Sequence, residues 1–231
     1  MNQTTLGIIG GMGSYATAYY FNALIHLAQA KKDQDYPRII VDNHAQIEDR
    51  TAALLQHGPS PLEKLKESVE LLNHANVDMA MMPCFTAHAF YNDMMKEADF
   101  ELVDVFDVLQ DFINKHPHIK KIGILATNGT QEIGLFEQLN NITLIYPDEP
   151  FQQKIMDAIY HPTNGIKSKH TTLYSTSLLN EVSDHLVEKG VDVLLSGCTE
   201  IGVVQDYLNH QLKRLDPMML VVEHIINKTR E

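Results

Sequence analysis

Met81-Met82-Pro83-Cys84-Phe85-Thr86 and Leu194-Leu195-Ser196-Gly197-Cys198-Thr199-Glu200 each carry a cysteine at the point where an apolar run ends. These are the only two cysteines among the 231 residues of the chain. A short apolar run bounded by turn-forming residues is typical of a buried strand. The sequence therefore predicts two thiols, each at the end of a buried strand.

The sequence before each cysteine indicates that the two sites are related. Gly7-Ile8-Ile9-Gly10-Gly11 precedes Cys84 much as Gly123-Ile124-Leu125-Ala126-Thr127 precedes Cys198. The separation from the first glycine to the cysteine is 77 residues in one case and 75 in the other. A repeat of about 115 residues is too long for a solenoid and predicts a duplicated domain. Two halves that face each other would place the thiols on opposite walls of one interdomain cleft.

Short apolar runs alternate with helical patterns along the chain, which predicts βα units and a largely parallel sheet. The predicted strands are Leu6 to Gly10, Arg38 to Asp42, Val77 to Met82, Lys121 to Ala126, Ile142 to Tyr146 and Val191 to Ser196. The predicted helices are Tyr15 to Ala30, Pro61 to Ala75, Val105 to Lys115, Pro150 to Tyr160, Leu173 to Lys189 and Asp216 to Glu231. The fold class is α/β, with two pseudo-symmetric, doubly wound domains and a cleft between them.

The domain boundary is expected to be discontinuous, because the last predicted helix can return to the first half. We assign residues 1–104 plus 212–231 to the half that carries Cys84, and residues 105–211 to the half that carries Cys198. Both cysteines follow strands, and ligands of such folds bind at the carboxyl ends of parallel strands.

Composition excludes several classes of function. A net charge of −12 and a pI near 5.4 disfavour nucleic-acid and anionic-membrane partners, since both require a basic surface. The first residues, Met1 to Thr5, do not resemble a signal peptide, and no apolar run approaches the roughly 20 residues of a membrane helix. We expect a cytoplasmic protein with reduced thiols.

A metal site is not expected. His116-Pro117-His118 is the tightest histidine pair, but it lies in a polar connection without a nearby cysteine or acidic partner. Two histidines in a loop are usually solvated rather than metal ligands.

The cysteines have three interpretations. In the first, both are small buried hydrophobic residues, which is common for free intracellular cysteines. A redox pair is a second interpretation, although Cys-x-x-Cys is absent. The third is acid–base chemistry, because a following helix would present its amino end to each thiol and lower its pKa. One thiolate and one thiol on opposite faces of a substrate would then accept and donate a proton.

Two further motifs point to an anionic substrate. Gly10-Gly11-Met12-Gly13 lies at a predicted strand-to-helix turn but lacks the spacing of a dinucleotide or phosphate loop, which favours a smaller anion such as a carboxylate. Asp49-Arg50-Thr51 follows the second strand, and an arginine can bind a carboxylate with two parallel hydrogen bonds. An arginine exposed on a loop is the alternative.

Together these motifs resemble the cofactor-independent aspartate/glutamate racemases of the Asp/Glu/hydantoin racemase superfamily. The resemblance runs from about residue 6 to residue 218 and is carried by Gly10-Gly11-Met12-Gly13 with Ala16-Thr17, Asp49-Arg50-Thr51, Pro83-Cys84 with Thr86-Ala87-His88, Leu125-Ala126-Thr127 with Gly129-Thr130, Gly197-Cys198-Thr199-Glu200 and Asp216-Pro217.

The resemblance implies an interdomain active site, racemisation of amino acids without pyridoxal phosphate or another cofactor, and a homodimer. It makes Cys84 and Cys198 the catalytic acid/base residues and Arg50 the partner of a substrate carboxylate. It also assigns a lysine, Lys167 or Lys169, to the substrate. The implied substrate-binding set is Met12, Gly13, Arg50, Phe85, Thr86, Thr127, Gly129, Thr130, Lys167, Thr199 and Glu200. His88 and Glu200 have two interpretations, as groups that tune the protonation of the cysteines or as helix-capping or surface residues.

One position departs from the family pattern. Phe85 stands where the family usually has an asparagine beside the amino-acid head group, and phenylalanine cannot replace the hydrogen bonds of that amide. Phe85 makes a nonstandard substrate plausible, so an isomerase resembling maleate isomerase and a decarboxylase resembling arylmalonate decarboxylase are alternatives within the superfamily. Such a decarboxylase needs only one cysteine, so the presence of both favours racemisation or isomerisation. An inactive relative that binds a dicarboxylate or amino acid and a thiol-redox protein are two further alternatives.

Overall fold

The computed structural model describes residues 4–209 and 212–230, and the chain forms two four-stranded parallel sheets. Residues 1–3, 210, 211 and 231 lie outside this description. The last residue of the predicted helix from Asp216 to Glu231 is one of them. The strands are β1 (Thr5–Ile9), β2 (Arg38–Asp42), β3 (Met79–Met81), β4 (Glu101–Leu102), β5 (Lys121–Leu125), β6 (Thr143–Ile145), β7 (Val193–Ser196) and β8 (Arg214–Leu215).

Helices connect the strands, as parallel pairing requires. They are α1 (Ser14–Ala28), α2 (Arg50–Leu54), α3 (Leu62–His74), α4 (Tyr91–Met95), α5 (Val105–Lys115), α6 (Asn128–Glu132), α7 (Glu149–Tyr160), α8 (Ile166–Lys169), α9 (Leu173–Glu188), α10 (Thr199–Val204) and α11 (Pro217–Lys228). Short 3₁₀ turns lie at Asp33–Asp35, Thr86–Phe90 and Gln205–Tyr207. Within the described residues, no helix is long and apolar enough to cross a membrane.

The two sheets have the same strand order, which confirms the predicted α/β class. The first runs β2-β1-β3-β4 and the second β6-β5-β7-β8, with every pair parallel. Gly7 pairs with Ala80 in the first sheet, and Gly123 pairs with Leu194 in the second. The equal order is the result expected of a duplicated βα domain.

The chain divides into two compact units, residues 1–108 with 218–231 and residues 109–217. The first division falls within α5, and the second falls beside Pro217, where α11 begins and returns the chain to the first unit. The boundaries predicted from sequence were 104/105 and 211/212.

All six predicted strands are present, whereas β4 and β8 were not predicted. Each of these has only two residues, which is too short for a periodic pattern. The short helices α2, α4, α6 and α8 were likewise missed, since each has four or five residues. A helix after Cys198 was expected, and α10 is that helix. The long helices have the predicted positions because their apolar spacing identifies the buried face.

Each unit packs a long helix against its central strand through a glycine. A Cβ on Gly7 would lie 2.9 Å from the Leu72 side chain on α3. A Cβ on Gly123 would lie 3.3 Å from the Leu186 side chain on α9. Both leucines are completely buried. The absence of a side chain on the strand therefore allows the helix to approach the sheet.

Gly11 is required by the turn that follows β1. Its φ is +87°, and a Cβ there would lie 2.3 Å from the backbone carbon of His44. Both the backbone conformation and the space available exclude a larger residue. Gly190 has a similar φ of +75°, but nothing lies within 4 Å of its Cβ position.

We expect Gly11→Ala to destabilise the protein more than Gly190→Ala does. Gly190→Ala is the control, and it should lower the free energy of unfolding by about 1 kcal/mol because alanine disfavours a left-handed backbone. Gly11→Ala adds a clash with the His44 backbone and should lower it by at least about 2 kcal/mol. Urea unfolding followed by circular dichroism measures both. Equal losses would show that the loop at His44 moves away without cost.

Candidate functional site

The reactive side chains of each unit lie beyond the carboxyl ends of its two central strands. In the first unit β1 leads into Gly10–Gly13 and β3 leads to Cys84. In the second, β5 leads to Thr127 and β7 leads to Cys198. Strand order reverses between these neighbours, and a parallel sheet binds its ligand at that point.

Arg50 joins the loops that follow β1 and β2 in the first unit. Its Nη2 donates to the Met12 carbonyl at 3.0 Å, and its Nη1 donates to the carbonyls of Ile47 at 3.2 Å and Glu48 at 2.7 Å. The residue is 6% exposed. Arg50 therefore positions the backbone at Met12. This role was not predicted from sequence, which suggested only a contact with a carboxylate.

The loop after β3 is tightly packed. Cys84 is 6% exposed, Phe85 2% and Thr86 7%. A 3₁₀ turn begins at Thr86 and carries His88, whose Nδ1 lies 2.9 Å from the Cys84 carbonyl oxygen. Because a carbonyl only accepts, Nδ1 carries the hydrogen and Nε2 is the acceptor of the neutral ring. His88 thereby fixes the backbone of the cysteine.

His88 is held in its neutral form by its surroundings. Its ring stacks on Tyr91 at 6.3 Å and meets the edge of Phe106 at 5.8 Å. Burial lowers the pKa of His88, although the hydrogen bond to Cys84 and the charge of Asp104 oppose this in part. Nε2 is buried without a partner among the described residues. The histidine is therefore a neutral donor to the backbone rather than a cation beside the thiol.

In the second unit, a thiol, a carboxylate and an ammonium form one chain of contacts. Cys198 Sγ donates to Glu200 Oε2 at 3.0 Å, and Lys167 Nζ donates to Glu200 Oε1 at 2.8 Å. Thr199 Oγ1 donates to the same Oε2 at 3.3 Å. The Glu200 side chain is 3% exposed and that of Lys167 is 25% exposed. A buried carboxylate thus has a charged partner on one oxygen and a thiol on the other.

This chain of contacts decides the charge of each group. Burial opposes ionisation of Glu200, but the Lys167 ammonium and the Cys198 hydrogen bond outweigh it, so the pKa of Glu200 lies below its usual value. Burial and the Glu200 charge raise the pKa of Cys198 well above its usual value, and Lys167 offsets only part of this. The resting pair is a thiol and a carboxylate.

The pKa expected from sequence for Cys198 was therefore wrong. Cys198 is the N-cap of α10, the position where a helix dipole would favour a thiolate. That helix has only six residues, and the thiol contacts a full negative charge at 3.0 Å. A whole charge in contact outweighs the partial charge of a short helix.

The loop after β5 is held by Thr127 and by Gln152 of α7. Thr127 caps α6, and its Oγ1 lies 3.1 Å from Thr130 Oγ1. Gln152 Nε2 donates to the Ala126 carbonyl at 2.9 Å and to Asn128 Oδ1 at 2.8 Å. Gln152 was not identified from sequence, although a glutamine on the buried face of an amphipathic helix is the signal that would have found it.

The predicted site residues fall into two groups. The group in the first unit is Met12, Gly13, Arg50, Cys84, Phe85 and Thr86. The group in the second is Thr127, Gly129, Thr130, Lys167, Cys198, Thr199 and Glu200. Of the two candidate lysines, Lys167 contacts Glu200 whereas Lys169 is exposed. All members except Gly13 and Lys167 are buried.

The histidine pair of the sequence lies apart from both groups. The rings of His116 and His118 are 5.8 Å apart, and His116 Nδ1 contacts the Phe112 carbonyl at 2.8 Å. Across residues 4–209 and 212–230, no group of three or more histidine, cysteine or acidic side chains is arranged to hold a metal ion.

Comparison with known proteins identifies the family. The sequence model of the Asp/Glu/Hydantoin racemase family matches residues 9–225. The chain belongs to this family. A relative from Bacillus subtilis (strain 168), the broad specificity amino-acid racemase RacX, is 24% identical over 223 residues, which cover 91% of this chain and 92% of RacX.

Solved structures of racemases share the fold. Picrophilus torridus aspartate racemase superposes with a TM-score of 0.85 at 25% identity, covering 98% of this chain and 94% of that one. A glutamate racemase from Francisella tularensis, solved with D-glutamate, has a TM-score of 0.69 at 14% identity, covering 99% and 81%. At 14% identity, the similarity to the glutamate racemase is evidence for the fold alone.

We expect Glu200→Gln to lower the pKa of the Cys198 thiol, because it removes the negative charge that opposes thiolate formation. Lys167→Met is the matched variant and is expected to raise that pKa further, since it removes the compensating cation. The pH dependence of alkylation by iodoacetamide, in a Cys84→Ser background with one remaining thiol, measures both shifts. Unchanged profiles in both variants would contradict the assigned contacts.

Proposed function

We propose that this protein is an amino-acid racemase that uses Cys84 and Cys198 as its two acid/base groups, without pyridoxal phosphate. The observation that carries the proposal is the hydrogen bond from the Cys198 thiol to a buried carboxylate. A thiol in contact with a proton acceptor is equipped for proton transfer. Family membership supports the same reaction, and the relative RacX is itself named as an amino-acid racemase.

Racemisation needs one proton removed from Cα and another delivered to the opposite face. In one direction the Cys84 thiolate takes the Cα proton, and the Cys198 thiol donates its own to the other face. Cys198 is then the thiolate and Cys84 the thiol, so the reverse direction starts from this state. No electron is gained or lost, and every proton is accounted for.

The negative charge of Glu200 determines whether Cys198 begins as a proton donor or as a proton acceptor. With its pKa raised, Cys198 rests as a thiol and is a proton donor. To act as a base it must lose that proton to solvent, a step that the Lys167 charge and the ammonium of an amino acid would both favour because each stabilises the thiolate. The second cysteine is therefore prepared as the acid and becomes the base only with substrate present.

The carbanion formed at Cα needs stabilisation by donors to the substrate carboxylate. The hydroxyls of Thr86, Thr127 and Thr199 and the backbone N–H groups at Met12 and Gly13 are the proposed donors. We propose Arg50 and Lys167 as the cations that attract a second carboxylate on the substrate. Arg50 already donates to three carbonyls, so Lys167 is the more accessible of the two cations.

Phe85 bears on the choice of substrate. It offers no side-chain hydrogen bond to an amino-acid head group, and it is 2% exposed, which makes it part of the packed core of the loop. We propose that the backbone of this loop replaces the missing contact and that the accepted side chains extend beyond aspartate and glutamate. The name of RacX, a broad specificity racemase, agrees with this proposal.

The proposal extends to the cellular compartment and the oligomeric state of the protein. Both cysteines are free thiols and must remain so for acid/base catalysis, which is the condition of the cytoplasm. We propose a cytoplasmic homodimer that takes small amino-acid or dicarboxylate substrates and needs neither a nucleic acid nor a membrane.

Cys84→Ser and Cys198→Ser are each expected to reduce racemisation by at least about 10³-fold, because a hydroxyl is a far weaker acid than a thiol and general acid–base groups contribute rates of this order. Serine keeps the volume of the site, so circular dichroism should match the wild-type protein. Polarimetry with purified enantiomers measures the rate. Full activity in either variant would remove that cysteine from the mechanism.

Exchange of the Cα hydrogen with deuterium oxide, followed by proton NMR, tests the reaction and its substrate range together. We expect exchange with aspartate or glutamate and with several apolar amino acids, starting from either enantiomer. Exchange with no amino acid, combined with cis/trans conversion of maleate, would favour the isomerase. Binding without any turnover would favour the inactive relative, and a reversible Cys84–Cys198 disulfide under mild oxidant would favour the redox protein.

A further inference from the structure

Lys167 lies in a loop that joins two long helices of the second unit. This α8 loop, residues 161–172, connects α7 to α9 and contains α8, which has only four residues. A helix of one turn is not stable by itself, so its position depends on contacts with the rest of the unit. That position matters because the Lys167 ammonium contacts Glu200, and Glu200 contacts the Cys198 thiol.

Two side chains hold the backbone of Asn164, two residues before α8 begins. His161, which directly follows α7, accepts from the Asn164 N–H through its Nδ1 at 3.2 Å. Thr172, the N-cap of α9, donates from its hydroxyl to the Asn164 carbonyl at 2.7 Å. The α8 loop is therefore held at this point by side chains from both of its ends.

The chain is strained where it returns from α8 to α9. His170 has a φ of +64° and a ψ of −79°, and the Thr171 N–H donates to the Lys169 carbonyl at 2.8 Å. These are the features of the rarer, strained form of the γ-turn. Strained backbone persists only where the surrounding structure enforces it. The bond from Thr172 to Asn164 closes the loop across this turn and is one such contact.

The Lys167 ammonium has contacts on two helices. Its Nζ lies 5.5 Å from the ring centroid of Tyr160, the last residue of α7, and 2.8 Å from Glu200 Oε1 on α10. An aromatic face attracts a cation. Because one contact is on α7 and the other on α10, α8 must stay beside both helices for Lys167 to keep both.

We propose that Thr172 is a positioning residue, whose hydroxyl bond closes the α8 loop and so holds the Lys167 ammonium against Glu200. The hydroxyl bonds to the Asn164 carbonyl and to the Ser175 N–H, so its effect reaches the lysine through the loop backbone. The catalytic importance of this restraint rests on the proposed function, in which the neighbouring cysteine transfers a proton.

The charges around Cys198 give the restraint a measurable sign. Glu200 raises the pKa of this thiol and Lys167 lowers it. Moving Lys167 away leaves the Glu200 charge without compensation, so the pKa of Cys198 rises. A loop that only becomes looser would instead admit water to the buried thiol, and hydration favours the thiolate and lowers the pKa. The direction of the change therefore separates positioning from loosening.

Thr172→Val tests the proposal, because valine keeps the shape of threonine and removes the hydroxyl. In the Cys84→Ser background, the pH midpoint of Cys198 alkylation by iodoacetamide should rise by about 0.5, which is about a threefold fall in thiolate at a given lower pH. Thr172→Ser keeps the hydroxyl and should have the original midpoint. Ser175→Ala removes the other side chain of the α9 capping box but leaves the bond to Asn164, so it should not move the midpoint.

A Lys167→Met background shows whether Thr172 acts through the lysine. Thr172→Val should then cause no further change, since the cation that it positions is gone. An equal shift with and without the lysine would overturn the proposal, as would an unchanged or lowered midpoint in Thr172→Val alone. If this variant does not fold, His161→Phe decides in its place, because it removes the acceptor of the Asn164 N–H and keeps a ring beside Tyr174. It should raise the midpoint in the same way, and an unchanged midpoint would overturn the proposal.

Alkylation does not depend on turnover, so the positioning role and the proposed function can fail separately. A raised midpoint in a protein that racemises no amino acid would support the positioning role and reject the proposed function. Racemisation together with an unmoved midpoint would support the proposed function and reject the positioning role of Thr172.

Discussion

β1 pairs in parallel with β3 from Leu6↔Met79 to Ile8↔Met81, and β5 pairs in the same way with β7 from Ile122↔Val193 to Leu125↔Ser196. In a parallel pair both strands end at the same edge, so the loops that leave them are neighbours. The glycine loop after β1 and Cys84 after β3 are neighbours for this reason, as are Thr127 and Cys198. The positions of the predicted site residues in each unit depend on this pairing. Because Gly7 and Gly123 have no side chain, α3 and α9 can pack closely against the paired strands.

The duplicated units differ in how they treat their thiols. In the first, a neutral histidine donates to the backbone carbonyl of Cys84, and its ring is enclosed by aromatic side chains. In the second, an ionised glutamate contacts the thiol of Cys198 itself, and a lysine neutralises the glutamate. The two thiols therefore have different electrostatic partners. A racemase built on them could have different kcat and KM values for the two enantiomers, although the two kcat/KM ratios must be equal because the equilibrium constant between enantiomers is one.

The sequence predicted the features that depend on local pattern and missed those that depend on orientation. The six longer strands were predicted because their apolar runs are continuous, and the cysteines were placed at strand ends for the same reason. β4 and β8 are strands because they pair with β3 and β7. The sequence of a two-residue segment does not predict such pairing. The pKa of Cys198 was wrong because residue spacing does not say that Glu200 turns back toward the thiol. The carbonyl partners of Arg50 likewise come from three different loop positions.

The loops that follow β1 and β2 in the first unit contact each other closely. The Asp42 carbonyl at the end of β2 accepts from Gly10, at the start of the glycine loop. Gly11 in that loop leaves no space for a side chain beside His44, and Met12 accepts from Arg50 beyond β2. The loops after β1 and β2 are therefore joined at three successive residues, so movement of one loop would displace the other. Because a site that stabilises a carbanion needs its donors held in place before the reaction, these contacts would favour the proposed catalysis by holding the backbone N–H groups at Met12 and Gly13 in position.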